Sequence, residues 1–359
     1  MRIYLYMKIL RIILPGLIVI AFLTFMARVS ADNASAAITA LPMPTMPAAQ
    51  AAPISVDVAE VEPEGEATIA PIEPFVPPND PYLDRQWGLS HIGISQLWQT
   101  TSGGSGVLVA VLDTGIDSGH EDLSGKVAGQ VNFSDSSTVT DLYGHGTHIA
   151  GIIAAYSDNG LGVVGVAPQS LLLNVKVAGD DGRCRSSDIA QGIIWAVDNG
   201  ARVINVSIEI REPSAELEAA VNYAWNNGAI VIAAAGNEGS QKPVYPAAYE
   251  NVIAVAATEP DDTRALLSNY GAWVDVAAPG YDIYSTLPEN EYGYKTGTSF
   301  ATAYVSGLAA ILFDTLSDAN GNGYLNDEVA AALTSGCQQV NGFEVGYGRI
   351  DAASVASSY

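Results

Sequence analysis

The sequence predicts an α/β protein, a three-layer α/β/α sandwich around a mostly parallel central sheet. Three observations carry this. From Asp80 onward, short apolar runs alternate with helix-length segments, the pattern of parallel strands covered by helices on both faces. The runs are apolar throughout rather than at every second residue, as in strands buried on both sides. With 359 residues, 48% of them hydrophobic, the chain can fill one large core or two smaller ones.

The elements follow in order. Arg2, Lys8 and Arg11 precede an uncharged run over 12–27, and Val29-Ser30-Ala31 has the small residues of a cleavage site. Residues 1–31 therefore read as a secretory signal peptide, with an uncleaved, outward-facing anchor as the alternative. Residues 32–79 hold nine of the 18 prolines and seven acidic residues but no Lys or Arg, so they read as a disordered Pro/Ala/acidic linker or short propeptide. Residues 80–359 form the folded domain. Strands are expected at 107–112, 170–177, 203–208, 229–235, 252–257 and 273–277. Helices are expected at 149–156, 189–199 and 215–226, with a long apolar one starting at Ser299. In such sheets ligands bind at the carboxyl ends of the strands.

The formal net charge of -24 excludes nucleic acid as the partner, because phosphate contact needs a basic patch. Cys184 and Cys337 are too few for the common zinc sites. One disulfide and two free thiols both stay open.

Candidate chemistry sits where strands end and helices begin. Asp113 ends the first strand, in Leu112-Asp113-Thr114-Gly115. His145 lies in Gly144-His145-Gly146-Thr147-His148, just before a helix. Asn237 follows another strand, in Ala235-Gly236-Asn237-Glu238-Gly239. Gly297-Thr298-Ser299 opens the long apolar helix, with glycine expected to supply the freedom of a tight turn. Alone, each is bland: a turn, a loop histidine, a Gly-Asn turn, a helix cap. His91 and His120 read as surface or packing residues. His145 and His148 are spaced for a metal pair, but no Glu accompanies them as in a zincin helix.

Together they make a constellation. Serine becomes a nucleophile only when a neighbouring imidazole takes its proton, and a carboxylate must hold that imidazole in one tautomer. The Ser299 N–H and the Asn237 amide would then receive the oxygen of the tetrahedral intermediate. An α/β-hydrolase would need Gly-x-Ser-x-Gly and the order Ser, Asp, His. An aspartic protease would need a second such aspartate in an all-β fold.

On the motifs Asp113-Thr-Gly-Ile-Asp, Gly144-His-Gly-Thr-His, Ala235-Gly-Asn-Glu-Gly and Gly297-Thr-Ser-Phe-Ala, the sequence resembles the subtilisin-like serine proteases (subtilases, peptidase family S8), and among them the thermitase-like members. The similarity runs from about Asn79 to the end. It implies a secreted, monomeric serine endopeptidase that hydrolyses polypeptides through an acyl-enzyme on Ser299. His145 would be general base, Asp113 its orienter and Asn237 an oxyanion donor. A peptide-binding homologue without activity is the alternative. The resemblance also implies structural Ca2+, held by the side chains of Asp80, Asp122 and Asn159 and the carbonyls of Tyr156, Leu161 and Val163. Its substrate groove maps to Ser207-Ile208-Glu209, where the family usually has Ser-Leu-Gly, and to Gly182-Arg183-Cys184, where it usually has Gly-x-Gly. Glu209, Arg183 and Arg185 imply a narrower specificity than the usual preference for large apolar residues. Separately, Asp318, Asn320, Asn322, Gly323 and Asn326 fit most positions of an EF-hand-type loop, with a Gly/Asn turn as the plain alternative.

Overall fold

A computed structural model describes residues 75–101 and 103–356. The signal-peptide expectation and nearly all of the linker expectation fall outside the described residues. The central sheet has eight strands: β1 (Leu108–Asp113), β2 (Val127–Asn132), β3 (Leu171–Lys176), β4 (Val203–Val206), β5 (Ile230–Ala234), β6 (Val252–Thr258), β7 (Val276–Pro279) and, further along the chain, a two-residue last strand (Gly348–Arg349). Reading across the sheet, that last strand is followed by β7, β6, β5, β4, β1, β3 and β2, and every ladder is parallel. A separate antiparallel hairpin pairs β8 (Ile283–Leu287) with β9 (Glu291–Lys295).

The strands divide their side chains between two cores. Val109 and Val111 of β1 point into one and Ala110 and Leu112 into the other, as the period of two in a strand requires. The first core is covered by helices Gly146–Ala154 and Thr298–Thr315, the second by Ser186–Asp198 and Ala215–Asn226. This is the expected three-layer arrangement. The helix Thr298–Thr315 is buried from Thr298 through Leu312, so it runs through the core rather than over it. β1 is flanked by β3 and β4, which makes its carboxyl end the point where the strand order reverses.

Several boundaries differ from the expected ones. The helix expected from 149 starts at Gly146, because the Asp141 carboxylate accepts the Thr147 N–H at 2.8 Å and so caps an earlier first turn. The strand expected at 273–277 lies at Val276–Pro279, where it meets β6 in register. Gly297 is extended, with φ 161°, so the tight-turn freedom expected of it is not used. β2 and the hairpin carry no long apolar run and were not expected. Cys184 and Cys337 are both free thiols.

Gly307 lets the buried helix lie close to Val166, since a Cβ there would sit 2.5 Å from the Val166 Cβ. Gly307→Ala is therefore expected to destabilise the fold by about 1–3 kcal/mol through overpacking, measured by urea denaturation.

Candidate active site

Asp113, at the end of β1, is fully buried, with 0% of its side chain exposed. Its Oδ1 accepts the N–H of Thr114 at 2.7 Å. The His145 Nδ1 lies 2.8 Å from Oδ1 and 2.9 Å from Oδ2. An ionised carboxylate only accepts, so Nδ1 carries the proton and Nε2 is left as the basic nitrogen. His145 is the residue that opens its helix. Its backbone comes close to β1 only because Gly146 has no side chain; a Cβ there would collide with the Gly115 carbonyl.

Ser299 sits in the first turn of its helix, where backbone N–H groups lack intrahelical acceptors. Its Oγ donates to the Ser207 carbonyl at 3.1 Å. The Ser207 Oγ in turn donates to the Ser299 carbonyl at 3.0 Å and accepts from Asn205 Nδ2 at 2.9 Å. Asn205 Oδ1 accepts from Ser306 Oγ at 3.0 Å. This buried chain of hydrogen bonds ties the helix start to the end of β4. Asn237 Oδ1 accepts the Thr298 N–H at 2.9 Å, which turns its Nδ2 donor toward the groove.

Asp113, His145, Asn237 and Ser299 line one groove of about 640 Å³, together with Gly182, Arg183, Cys184, Ser207, Ile208 and Glu209. The four chemistry-bearing residues and all six residues of the two expected groove segments thus come to one place. Burial by itself would lower the His145 pKa, but the Asp113 charge and hydrogen bond outweigh it and the pKa is raised. The opposite holds for His148, where burial lowers the pKa to about 3. Its Nε2 donates to the Gly293 carbonyl at 3.1 Å and its ring packs on Phe300, so it is a neutral core residue. His120 is buried, and its Nε2 lies 3.1 Å from the Glu291 carbonyl. His91 pairs with Asp262 at 2.8 Å.

Sequence reasoning missed two buried charges that shape this edge. Asp141 accepts from the N–H groups of Tyr143, Gly144 and Thr147 and from the hydroxyls of Thr114 and Thr147. It fixes the loop that carries His145. Lys176, fully buried at the end of β3, donates to the Thr114 and Thr140 carbonyls and pairs with Asp180. The available signal was a charged residue closing an apolar strand, in Leu173-Asn174-Val175-Lys176.

Away from the groove, Asp80 and Asp122 lie beside the loop 156–163. Asp122 accepts from Asn159 Nδ2 at 2.9 Å and from the Val163 N–H at 2.8 Å, and its carbonyl accepts the Tyr156 N–H. Asp80 Oδ2 accepts the Asp158 N–H at 2.8 Å, while its buried Oδ1 has no partner. Asn159 Oδ1 accepts the Leu161 N–H. Burial raises the pKa of both aspartates, and the Asp80 charge adds to the rise at Asp122. Among the described residues no group of three or more His, Cys, Asp or Glu could hold a metal, so a metal here would need a mixed shell of carboxylates and neutral oxygens. The loop from Asp318 is closed on itself: Asn320 and Asn322 amides donate to Asp327 Oδ2, and Asp318 accepts the N–H groups of Gly321 and Gly323.

Residues 104–348 match the family model described as the subtilase family. The chain belongs to the subtilase family. It is 45% identical over 278 residues to the thermophilic serine proteinase of Bacillus sp. (strain AK1), covering 76% of this chain and 68% of that one. It is 47% identical over 237 residues to thermitase of Thermoactinomyces vulgaris, covering 66% and 85%. A solved protease structure from Pseudoalteromonas arctica superposes with a TM-score of 0.71 at 32% identity, covering 79% of this chain and 99% of the other. This subtilase is a serine-type endopeptidase of the thermitase-like kind, and the reading as an inactive peptide binder falls away.

A base held by a buried carboxylate predicts the pH profile. For hydrolysis of a peptide ester, kcat/KM should rise with pH through a midpoint above the ordinary imidazole value of about 6.5, since the raised pKa of His145 means that its ring loses the blocking proton later. Asp113→Asn should lower kcat on the order of 10⁴-fold, as in other Ser-His-Asp triads.

Proposed function

We propose that this subtilase is a secreted endopeptidase in which Ser299 attacks the peptide carbonyl, with His145 as base, Asp113 as its orienter and Asn237 as oxyanion donor. The observation that carries this is the two-point contact of the buried Asp113 carboxylate with His145 Nδ1, at 2.8 and 2.9 Å, in the groove that Ser299 lines. The Ser299 hydroxyl turns from the Ser207 carbonyl toward His145 Nε2 when substrate enters; such hydrogen bonds often tighten only in the substrate complex. Nε2 takes the Oγ proton as the C–O bond forms, and the carbonyl oxygen becomes an oxyanion. That charge falls on the Ser299 N–H and the Asn237 Nδ2, donors held in place before the charge develops. Loss of one such donor costs about 2.7–4 kcal/mol, a magnitude measured in subtilisin, a member of this family. The imidazolium then protonates the leaving amine, and the C–N bond breaks to leave the acyl-enzyme. Water, activated by the same Nε2, releases the acyl group and restores the serine.

A bound Ca2+ would neutralise the two buried carboxylates of Asp80 and Asp122 and brace the loop between them. The residues suit it: an unpartnered buried oxygen on Asp80, two desolvated carboxylates and neutral oxygens from Asn159, Tyr156, Leu161 and Val163. A hard oxygen shell of this mixture is what Ca2+ takes. Secretion rests on the signal-like residues 1–31; a retained anchor would hold the domain outside the membrane. The chain acts on polypeptides as a monomer, and Glu209, Arg183 and Arg185 narrow which ones.

Two measurements test this. A fluorophosphonate probe should label the wild-type chain on Ser299 and fail on Ser299→Ala, whose kcat should fall on the order of 10⁶-fold, as measured in subtilisin. Labelling that survives the substitution would remove Ser299 from its role. Chelation should lower the Tm by roughly 5 °C or more, from the linkage expected at saturating ligand, and Asp80→Asn should largely erase that difference.

A further inference from the structure

Glu209 stands on the substrate groove, two residues beyond the Ser207 carbonyl that holds the Ser299 hydroxyl. Its carboxyl crosses to the opposite wall. The Glu238 carboxyl stands beside it, since a Cβ on Gly236 would meet both Glu209 Oε2 and Glu238 Oε2. The Glu209 Oε2 lies over Gly236, where a Cβ would collide with it; Gly236 also has a left-handed φ of 99°. Glu238 in turn accepts from Asn269 Nδ2 at 3.2 Å. Two carboxyls therefore meet next to the residue whose amide faces the nucleophile. The cation beside them is Arg211, whose Nη2 is 3.5 Å from Glu238 Oε1 and whose side chain is 80% exposed.

A scissile carbonyl held between Ser299 and Asn237 would put the side chain of its own residue, P1, beside Glu209, which lines the groove, with Glu238 and Arg211 behind it in the adjoining cavity. We infer that the pocket is built for a basic P1 residue: an Arg or Lys cation enters between Glu209 and Glu238 and takes the place that Arg211 approaches from solvent. This rests on the reading of Ser299 as nucleophile. Facing carboxylates repel one another and are relieved by a cation between them, and a guanidinium can bind a carboxylate at two points. A large apolar side chain would instead cover the Glu209 carboxyl and strip it of water without offering a partner. Burial, helped by Glu238, raises the Glu209 pKa to about 7 while Glu238 stays ionised.

The test compares kcat/KM at pH 8 and low salt for peptide anilides that differ only in P1: Arg, Lys, Phe or Ala. Fluorophosphonate labelling runs in parallel on the full chain. The expected result is that Arg and Lys exceed Phe and Ala by about tenfold or more, as befits a site whose polar groups must be paired. In Glu209→Gly the order should invert, with Phe ahead. Glu238→Gln should weaken Arg through KM with little change in the Phe rate. Phe leading in the wild type overturns the inference, and so does Ala leading, which would mean that Glu209 merely closes the pocket. An Arg preference that survives Glu209→Gly also overturns it. In each of those cases intact labelling leaves the nucleophile reading standing, whereas absent labelling sinks both.

Discussion

A carboxylate with no access to solvent organises the working edge of this protein. Burying an isolated charge is prohibitively costly, so Asp113 has to find donors. It takes the N–H of Thr114 and the ring of His145. That need holds the imidazole in one orientation and one tautomer. It also explains why the backbone of the His145 turn must approach β1 so closely that only glycine fits at Gly146. The neighbouring buried charges obey the same constraint. Asp141 gathers five donors and Lys176 gathers carbonyls from two loops, so the loops around His145 are fixed by charges that cannot be left unpaired.

The second half of the edge is set by packing. The helix Thr298–Thr315 is apolar on all sides and buried along most of its length. Such a helix could slide or rotate against a smooth apolar sheet. The hydrogen bonds linking Ser299, Ser207, Asn205 and Ser306 give it one register, because any shift would leave buried polar groups without partners. Asn237 and Thr298 add a second tie from β5. The position of Ser299 therefore depends on polar groups spaced along an otherwise apolar core.

Much of this was legible in the sequence. Strands buried on both faces announce themselves as unbroken apolar runs, which is why β1, β3, β4, β5 and β6 lie within a residue or two of expectation. β2, with Gln130 and Asn132 in a half-exposed edge strand, has no such run. The hairpin β8–β9 is too short and polar to stand out. Asp113, His145, Asn237 and Ser299 were legible because each sits at a strand end or helix start in a glycine-bearing turn. Asp141 and Lys176 were not, since a lone charged residue reads as solvated unless its distant partners are known.

The sequence by itself determined the alternation of strands and helices, the family motifs and the order Asp113, His145, Asn237, Ser299, all of which are local or periodic properties. Only the tertiary structure decided what contacts between distant segments create. It separated His148 from His145, the one neutral in the core and the other at the groove. It left Asp80 Oδ1 without a partner beside Asp122. It carried Glu209, a single changed residue in a wall segment, across to Glu238. Burial and through-space charge set the chemistry of these groups, and neither is a property of neighbours along the chain.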